Sequence, residues 1–297
     1  MQLKDTILID KGTLTDGISV LKNFYPLLDV IIPKINLSDG VKRLQLNPWR
    51  YIDKQNNFSE KKFMSAKAFS EGLATAITLF FPSLDPKFFK IGYIDKSMQF
   101  VFTIDTEKVQ SIRDFSEGLA AAKREDKWGY IDKTPKWVLS PIYDKVGDFN
   151  EGLAWVEIDG KYGYINKETK KFFIEPKFDG AGDFSEGLAP VKVDDEWGYI
   201  SKETKNFSIP PEFAFAGKFT EGLAPVLKIN GWFSDDKWGY INKEKKFVIR
   251  AKFDGAGNFS EGLAIVAEKK DDEVKHGYIM EWPPFLATLI DLKILHK

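Results

Sequence analysis

Six nearly identical hexapeptides constrain this chain more than any other feature. FSEGLA stands at 69–74, 115–120, 184–189 and 259–264, and it recurs as FNEGLA at 149–154 and FTEGLA at 219–224. A second motif follows each copy: WGYIDK at 128–133, YGYINK at 162–167, WGYISK at 197–202 and WGYINK at 238–243, with weaker forms at 49–54, 91–96 and 276–281. The tyrosines of this motif fall at 51, 93, 130, 164, 199, 240 and 278, most regularly 34 or 35 residues apart. LSDGV at 37–41 supplies the first-motif partner for Tyr51, so seven units pair up. A third motif follows the four best copies: WVLSPIYD (137–144), FFIEPKFD (172–179), FSIPPEFA (207–214) and FVIRAKFD (247–254). Self-similarity at a fixed period near 35 residues is the signature of a repeat architecture, in which stacked neighbours bury what one unit cannot bury alone.

Each unit reads as β structure. LAPVKVD (188–194) alternates Ala189, Val191 and Val193 with Leu188, Pro190 and Lys192, the period of a strand. Polar turns such as KVDDE and SKETKN separate the runs. Three strands fill about 25 residues and the rest crosses to the next unit. The predicted fold is all-β: about seven three-stranded antiparallel meanders beginning near residues 37, 69, 115, 149, 184, 219 and 259. Residues 1–36 form a degenerate N-terminal cap, 37–281 the array and 282–297 a C-terminal cap. Two closures compete. Lys123, Glu157 and Lys192 sit mid-strand at equivalent places and imply a solvated face, which favours an open solenoid-like array. Seven units is also a common number for a closed β-propeller, and VIIPKI at 30–35 resembles the third motif that the last unit lacks.

Composition excludes several functions. The chain carries 43 Lys and Arg against 44 Asp and Glu, so no basic excess draws it to nucleic acid. It has no cysteine and only His276 and His296, which removes thiolate chemistry and leaves little for imidazole chemistry or a multi-histidine metal site. No apolar run reaches the length of a membrane span and no signal peptide is visible. A cytoplasmic protein is expected, with a removed leader left open. Signatures of serine hydrolases, zinc peptidases and nucleotide-binding loops are absent, so no enzyme activity, metal or cofactor is expected.

Three groups of residues are candidate sites. Glu71, Glu117, Glu151, Glu186, Glu221 and Glu261 form a row of carboxylates in a turn, where a neighbouring Ser or Thr caps backbone N–H groups and glycine supplies positive φ. Trp128, Tyr162, Trp197 and Trp238, each followed by Gly129, Gly163, Gly198 or Gly239, read either as packing between units or as an aromatic ladder for sugars or peptides. A glycine inside a strand lets another backbone come close, which favours packing. Two insertions extend the same hairpin loop, TLFFPSLDPKFF (78–89) and KINGWFSDD (228–236). Loops carried by a rigid scaffold are where binding concentrates, so Phe80, Phe81, Phe88, Phe89, Trp232, Phe233, Asp235 and Asp236 are the expected binding residues.

The KWGYIDK, F-S/T-E-G-L-A and V-I-x-P-x-F/Y-D motifs together resemble the bacterial WG-repeat (KWG-repeat) family over residues 37–281. Departures are Arg50 for glycine and Ile91, Tyr162 and His276 for tryptophan. The resemblance implies a β-rich array tied to no single reaction. The expected function is a non-enzymatic scaffold that presents its repeat surface to a protein partner. The alternatives are glycan or cell-envelope binding through the aromatic positions, and a hydrolase using paired carboxylates.

Overall fold

The computed structural model describes residues 5–8, 43–46, 50–51, 59–61, 63, 65–79, 89–105, 108–229, 236–270 and 273–280. The described residues form strands and turns with no helix. The chain divides into two compact bodies, residues 1–146 and 147–297.

In the N-terminal body, Asp5–Leu8 pairs antiparallel with Arg43–Leu46. Two four-stranded sheets follow, each in chain order: Ser65–Ala66, Ala74–Leu79, Phe89–Ile94 and Phe100–Thr103, then Ser111–Ser116, Leu119–Arg124, Lys127–Asp132 and Trp137–Tyr143. In the C-terminal body, Leu153–Ile158, Lys161–Asn166 and Phe172–Phe178 form one meander. Gly180–Ala181, Leu188–Val193, Glu196–Ser201, Phe207–Ala216, Ala224–Lys228, Lys237–Ile241 and Phe247–Phe253 form a seven-stranded sheet, and Gly255–Ala256, Leu263–Lys270 and Glu273–Met280 a smaller one. Among the described residues the strand pairings are antiparallel and no sheet closes into a barrel. The predicted meanders of three long strands are present. The crossover adds to them: GA in DGAG is a two-residue strand that pairs with the next unit, Gly180 opposite Lys192 and Gly255 opposite Ala267.

FSEGLA is a hairpin. The six glutamates have φ of 50–54° and the glycines after them 75–83°, the two left-handed residues of a type I′ turn, whose twist matches the flanking strands. In the fifth unit the Ser185 N–H donates to Leu188 O and the Leu188 N–H to Ser185 O, at 2.9 and 3.2 Å. The phenylalanine ahead of five of the six turns is core, Phe115, Phe149, Phe184, Phe219 and Phe259 being buried, and Phe69 ahead of the first is half-buried.

The glycine of WGYI answers a bulge in the third strand. Trp197 pairs with Phe213 but Tyr199 with Ile209, so four residues on one strand span two on the other. The extra chain bends towards Gly198, where a Cβ would stand 2.5 Å from Ile209 O and 2.6 Å from Pro211 N. Gly129, Gly163 and Gly239 face the same geometry. The prolines therefore sit inside the bulge, where the ladder is already interrupted. The neighbouring tyrosines Tyr93, Tyr130, Tyr164, Tyr199 and Tyr240 are almost wholly buried.

One sequence expectation about faces fails. Glu157 is buried, at 8% exposure, and the first four residues of Leu188–Val193 are buried on both faces. Mid-strand polarity at that position does not mark a solvated face throughout.

Candidate functional site

The repeated polar groups are consumed inside the fold. Glu71 accepts from the Gly118 N–H at 2.9 Å and pairs with Lys133 Nζ at 3.1 Å. Glu151 serves Gly187 and Lys202 in the same way, and Glu186 serves Gly222 and Lys243. Each carboxylate thus reaches the turn glycine and the GYI-motif lysine of the following unit. Glu221 accepts from Gly262 N–H at 2.9 Å, but Glu281 stands where the lysine would be. Burial alone would raise the Glu71 and Glu186 carboxyls. The glycine N–H and lysine partners outweigh it and hold both below the usual glutamate range.

The tyrosine hydroxyls are also spent. Tyr164, Tyr199 and Tyr240 donate to Gly182 O, Gly217 O and Gly257 O, each at 2.8 Å. Their rings lie 4.8, 4.8 and 5.0 Å from Phe184, Phe219 and Phe259 of the next unit. Burial pushes all three hydroxyls far above the ordinary tyrosine range, with Asp183 adding to it at Tyr164.

An open groove of about 690 Å³ runs between consecutive turns, lined by Glu151, Glu186, Lys202 and Lys243 among others. Two of its three carboxylates, Glu151 and Glu186, are the bonded ones above, and the third is Glu203. Among the described residues, no group of three or more His, Cys, Asp or Glu is placed to hold a metal ion, and no helix is long and apolar enough to cross a membrane.

Most of the predicted binding residues, Phe80, Phe81, Phe88, Trp232, Phe233 and Asp235, lie outside the described residues. Phe89 opens a strand, opposite Leu79. Asp236 is exposed, just ahead of Lys237–Ile241. Trp128, Tyr162, Trp197 and Trp238 are half-buried, neither sealed between units nor open to solvent.

One place breaks the pattern. Phe213-Ala214-Phe215-Ala216 stands where the units before and after it read Phe-Asp-Gly-Ala and the unit at 143–146 reads Tyr-Asp-Lys-Val. Elsewhere the aspartate ends the third strand. Asp179 takes Lys161 Nζ at 2.5 Å and the Asp194 N–H at 3.0 Å, and Asp254 takes Lys237 Nζ at 2.5 Å and the Lys269 N–H at 2.6 Å. These lysine and backbone bonds hold both carboxyls low. With Ala214 that device is gone, and Phe207–Ala216 continues unbroken for 10 residues into the next meander. The matching lysine is gone as well, replaced by Glu196, which has no ion-pair partner among the described residues.

Phe215 then fills the place of Gly180 and Gly255. It is 43% exposed and lies 5.2 Å from Trp197 and 5.5 Å from Trp238, at 45° and 58° to their planes. The result is an aromatic row, Trp197–Phe215–Trp238. Its neighbour across the ladder is Leu227, one residue before the insertion 228–236 begins. Sequence reasoning flagged the insertion and the tryptophans but missed Phe215. The signal was present as an aromatic residue at a position held by glycine in both adjacent units.

No curated protein matches the chain. Solved structures similar to it include one described as a eukaryotic initiation factor, at 14% identity and a TM-score of 0.46, covering 64% of this chain. This chain spans 58% of that one. Kluyveromyces lactis Hsv2p matches at 7% identity and a TM-score of 0.48, over 82% of this chain and 94% of that one. The extracellular domain of a one-component system protein from B. thetaiotaomicron matches at 11% identity and a TM-score of 0.39, over 76% of this chain and 32% of that one. The sequence model of the WG containing repeat matches five times in succession, at residues 91–128, 128–162, 162–197, 197–232 and 238–270. Those matches run from one motif aromatic towards the next and cover more than half of the chain, which therefore belongs to the WG-repeat family.

Proposed function

We propose that this protein is a non-enzymatic binding scaffold for a protein partner, and that the aromatic row Trp197–Phe215–Trp238 is its contact surface. The observation that carries the reading is Phe215: a 43% exposed ring at a position that is glycine in the units before and after it, beside the insertion 228–236. Exposed aromatic residues clustered on a rigid sheet are the usual anchors of protein interfaces. The repeated carboxylates and hydroxyls are already bonded within the fold, which argues against paired-acid hydrolysis. Sugar stacking favours flat, open ring faces, and rings tilted 45° and 58° from one another do not form one flat platform.

The test is affinity capture from the native host with the wild-type chain, Phe215→Gly and an alanine-substituted 230–235 loop, with bound proteins identified by mass spectrometry. Phe215→Gly installs the residue that both adjacent units carry, and thermal unfolding checks that the variant is folded. One or more specific partners are expected to be lost with each variant. Retention of every partner by both variants refutes the proposal.

A further inference from the structure

We propose that the last unit of this chain docks head to tail on the first unit of a second copy. The contact is separate from the aromatic row and does not depend on it. Within the array, the leucine of EGLA and the tyrosine of GYI lie on the face that meets the next unit. Leu188 and Tyr199 are buried against Phe219, Ala224, Val226 and Ile241. In the last unit the equivalent pair, Leu263 and Tyr278, is 39% and 53% exposed. Leu263 stands opposite Met280 and Ile265 opposite Tyr278, so strand alternation puts all four on one face of the ribbon. All four are exposed. The other face is occupied, with Ala264, Val266 and Ile279 packed among Tyr240 and Phe259.

Glu261 repeats the pattern. It has the φ of 54° of the other turn glutamates and is exposed, and it has no bonded partner among the described residues. Glu186, one of its equivalents, holds Gly222 N–H and Lys243 Nζ of the next unit. The last unit therefore presents the whole forward half of the contact that joins units: an apolar face and a carboxylate. Its complement is the backward half of a unit, with a large apolar residue ahead of the turn, the turn glycine and the GYI-motif lysine. Sequence supplies one such set with no GYI motif ahead of it. Leu37, Gly40 and Lys54 hold the places of Phe184, Gly187 and Lys202. The unit after it is already covered, since Tyr51 lies 4.8 Å from Phe69 and donates to Lys67 O at 2.7 Å. Every copy brings both halves, so the docked contact continues the interface already used between units and sets Glu261 of one copy against Lys54 of the next. The two halves lie on different surfaces, so the contact does not close on a pair and further copies add to the row.

The experiment is sedimentation of the full chain over a wide range of concentration. The mass is expected to rise past that of a dimer. Tyr278→Asp puts a charge in the middle of the apolar face and should weaken association by about tenfold or more. Glu261→Lys and Lys54→Glu should each weaken it by about threefold to tenfold. An equal mixture of those two variants should recover association, because both contacts in an alternating row again join opposite charges. Thermal unfolding checks that each variant is folded. A monomer at every concentration leaves the face to another occupant and overturns the inference. A dimer that grows no further means pairing of like faces and overturns it as well, as does a mixture that associates no better than either variant alone.

Discussion

Tyr240 and Tyr278 occupy the same place in the same motif, 38 residues apart, and meet opposite fates. Tyr240 is fully buried, and its hydroxyl is bonded to Gly257 O. Tyr278 is 53% exposed. The glycines before them differ in parallel: a Cβ on Gly239 would stand 2.7 Å from Ile249 O, whereas a Cβ on Gly277 meets nothing within 4 Å. Tyr240 has the bulged strand Phe247–Phe253 on one side and Phe259 of the next unit above it. Among the described residues, Glu273–Met280 is the last strand of its sheet. The GYI motif does not bury its own tyrosine. The third strand and the following unit do, as expected when stability is a sum of nearest-neighbour interfaces.

The largest expected effect tests that conclusion directly. Tyr199→Ala removes a buried ring and should cost about 3–5 kcal/mol, whereas Tyr278→Ala should cost under about 1 kcal/mol. Urea unfolding of the two variants gives the comparison, and equal costs would break it. Next in size is the glycine pair. Gly198→Ala forces a methyl against backbone at 2.5 Å and should destabilise by about 1–3 kcal/mol. Gly277→Ala should lie within about 0.5 kcal/mol of wild type or be slightly more stable, because alanine is easier than glycine to hold in a strand.

Smaller again is the hydroxyl. Tyr240→Phe leaves Gly257 O without its donor and should cost about 1 kcal/mol, with Tyr278→Phe near zero in the same unfolding assay. The smallest effect belongs to the carboxylate link. Glu186 has a lowered pKa in the folded state, so folding releases its proton more readily than the unfolded chain does. Its stabilisation is therefore present above the unfolded glutamate pKa and is lost as pH falls through the folded value. With its side chain and that of Lys243 30% and 40% exposed, solvent screening keeps the effect below about 1 kcal/mol. Glu186→Gln should lower the urea midpoint at pH 7, and the gap from wild type should close in acid. A gap that is constant with pH would show that the bond, and not the charge, carries the effect.

How much of this was legible in the sequence depends on the range of the interaction. The period, the strands and the glycine of WGYI follow from local pattern, since alternation and a missing Cβ are properties of a few adjacent residues. The turn role of Glu-Gly was legible too. The partner of the glutamate was not, because Gly118 is 47 residues from Glu71 and Gly222 is 36 from Glu186, and only the stacking of units brings them together. Proline lacks a donor, so the Pro210–Pro211 pair signals only that the ladder is interrupted there. The bulge that accommodates it is defined by the facing strand. At the candidate site, the insertion stood out by length, whereas Phe215 is a single residue whose meaning depends on the column it interrupts.

The glutamate links also give the chain a direction. Each turn lends its carboxylate forward, to the glycine and lysine that come after it, so every unit has a distinguishable front and back. A segment excised from one Glu-Gly to the next brings a donor of the same kind to the vacated acceptor, and the new seam can re-form both bonds. A cut of equal length begun between Gly222 and Lys243 also restores the period. Such a cut joins halves of two units whose loops differ, and it removes one insertion or creates a hybrid of two. The turn is therefore the natural joint for lengthening or shortening this protein, and the same six letters that build each unit mark where units can be exchanged.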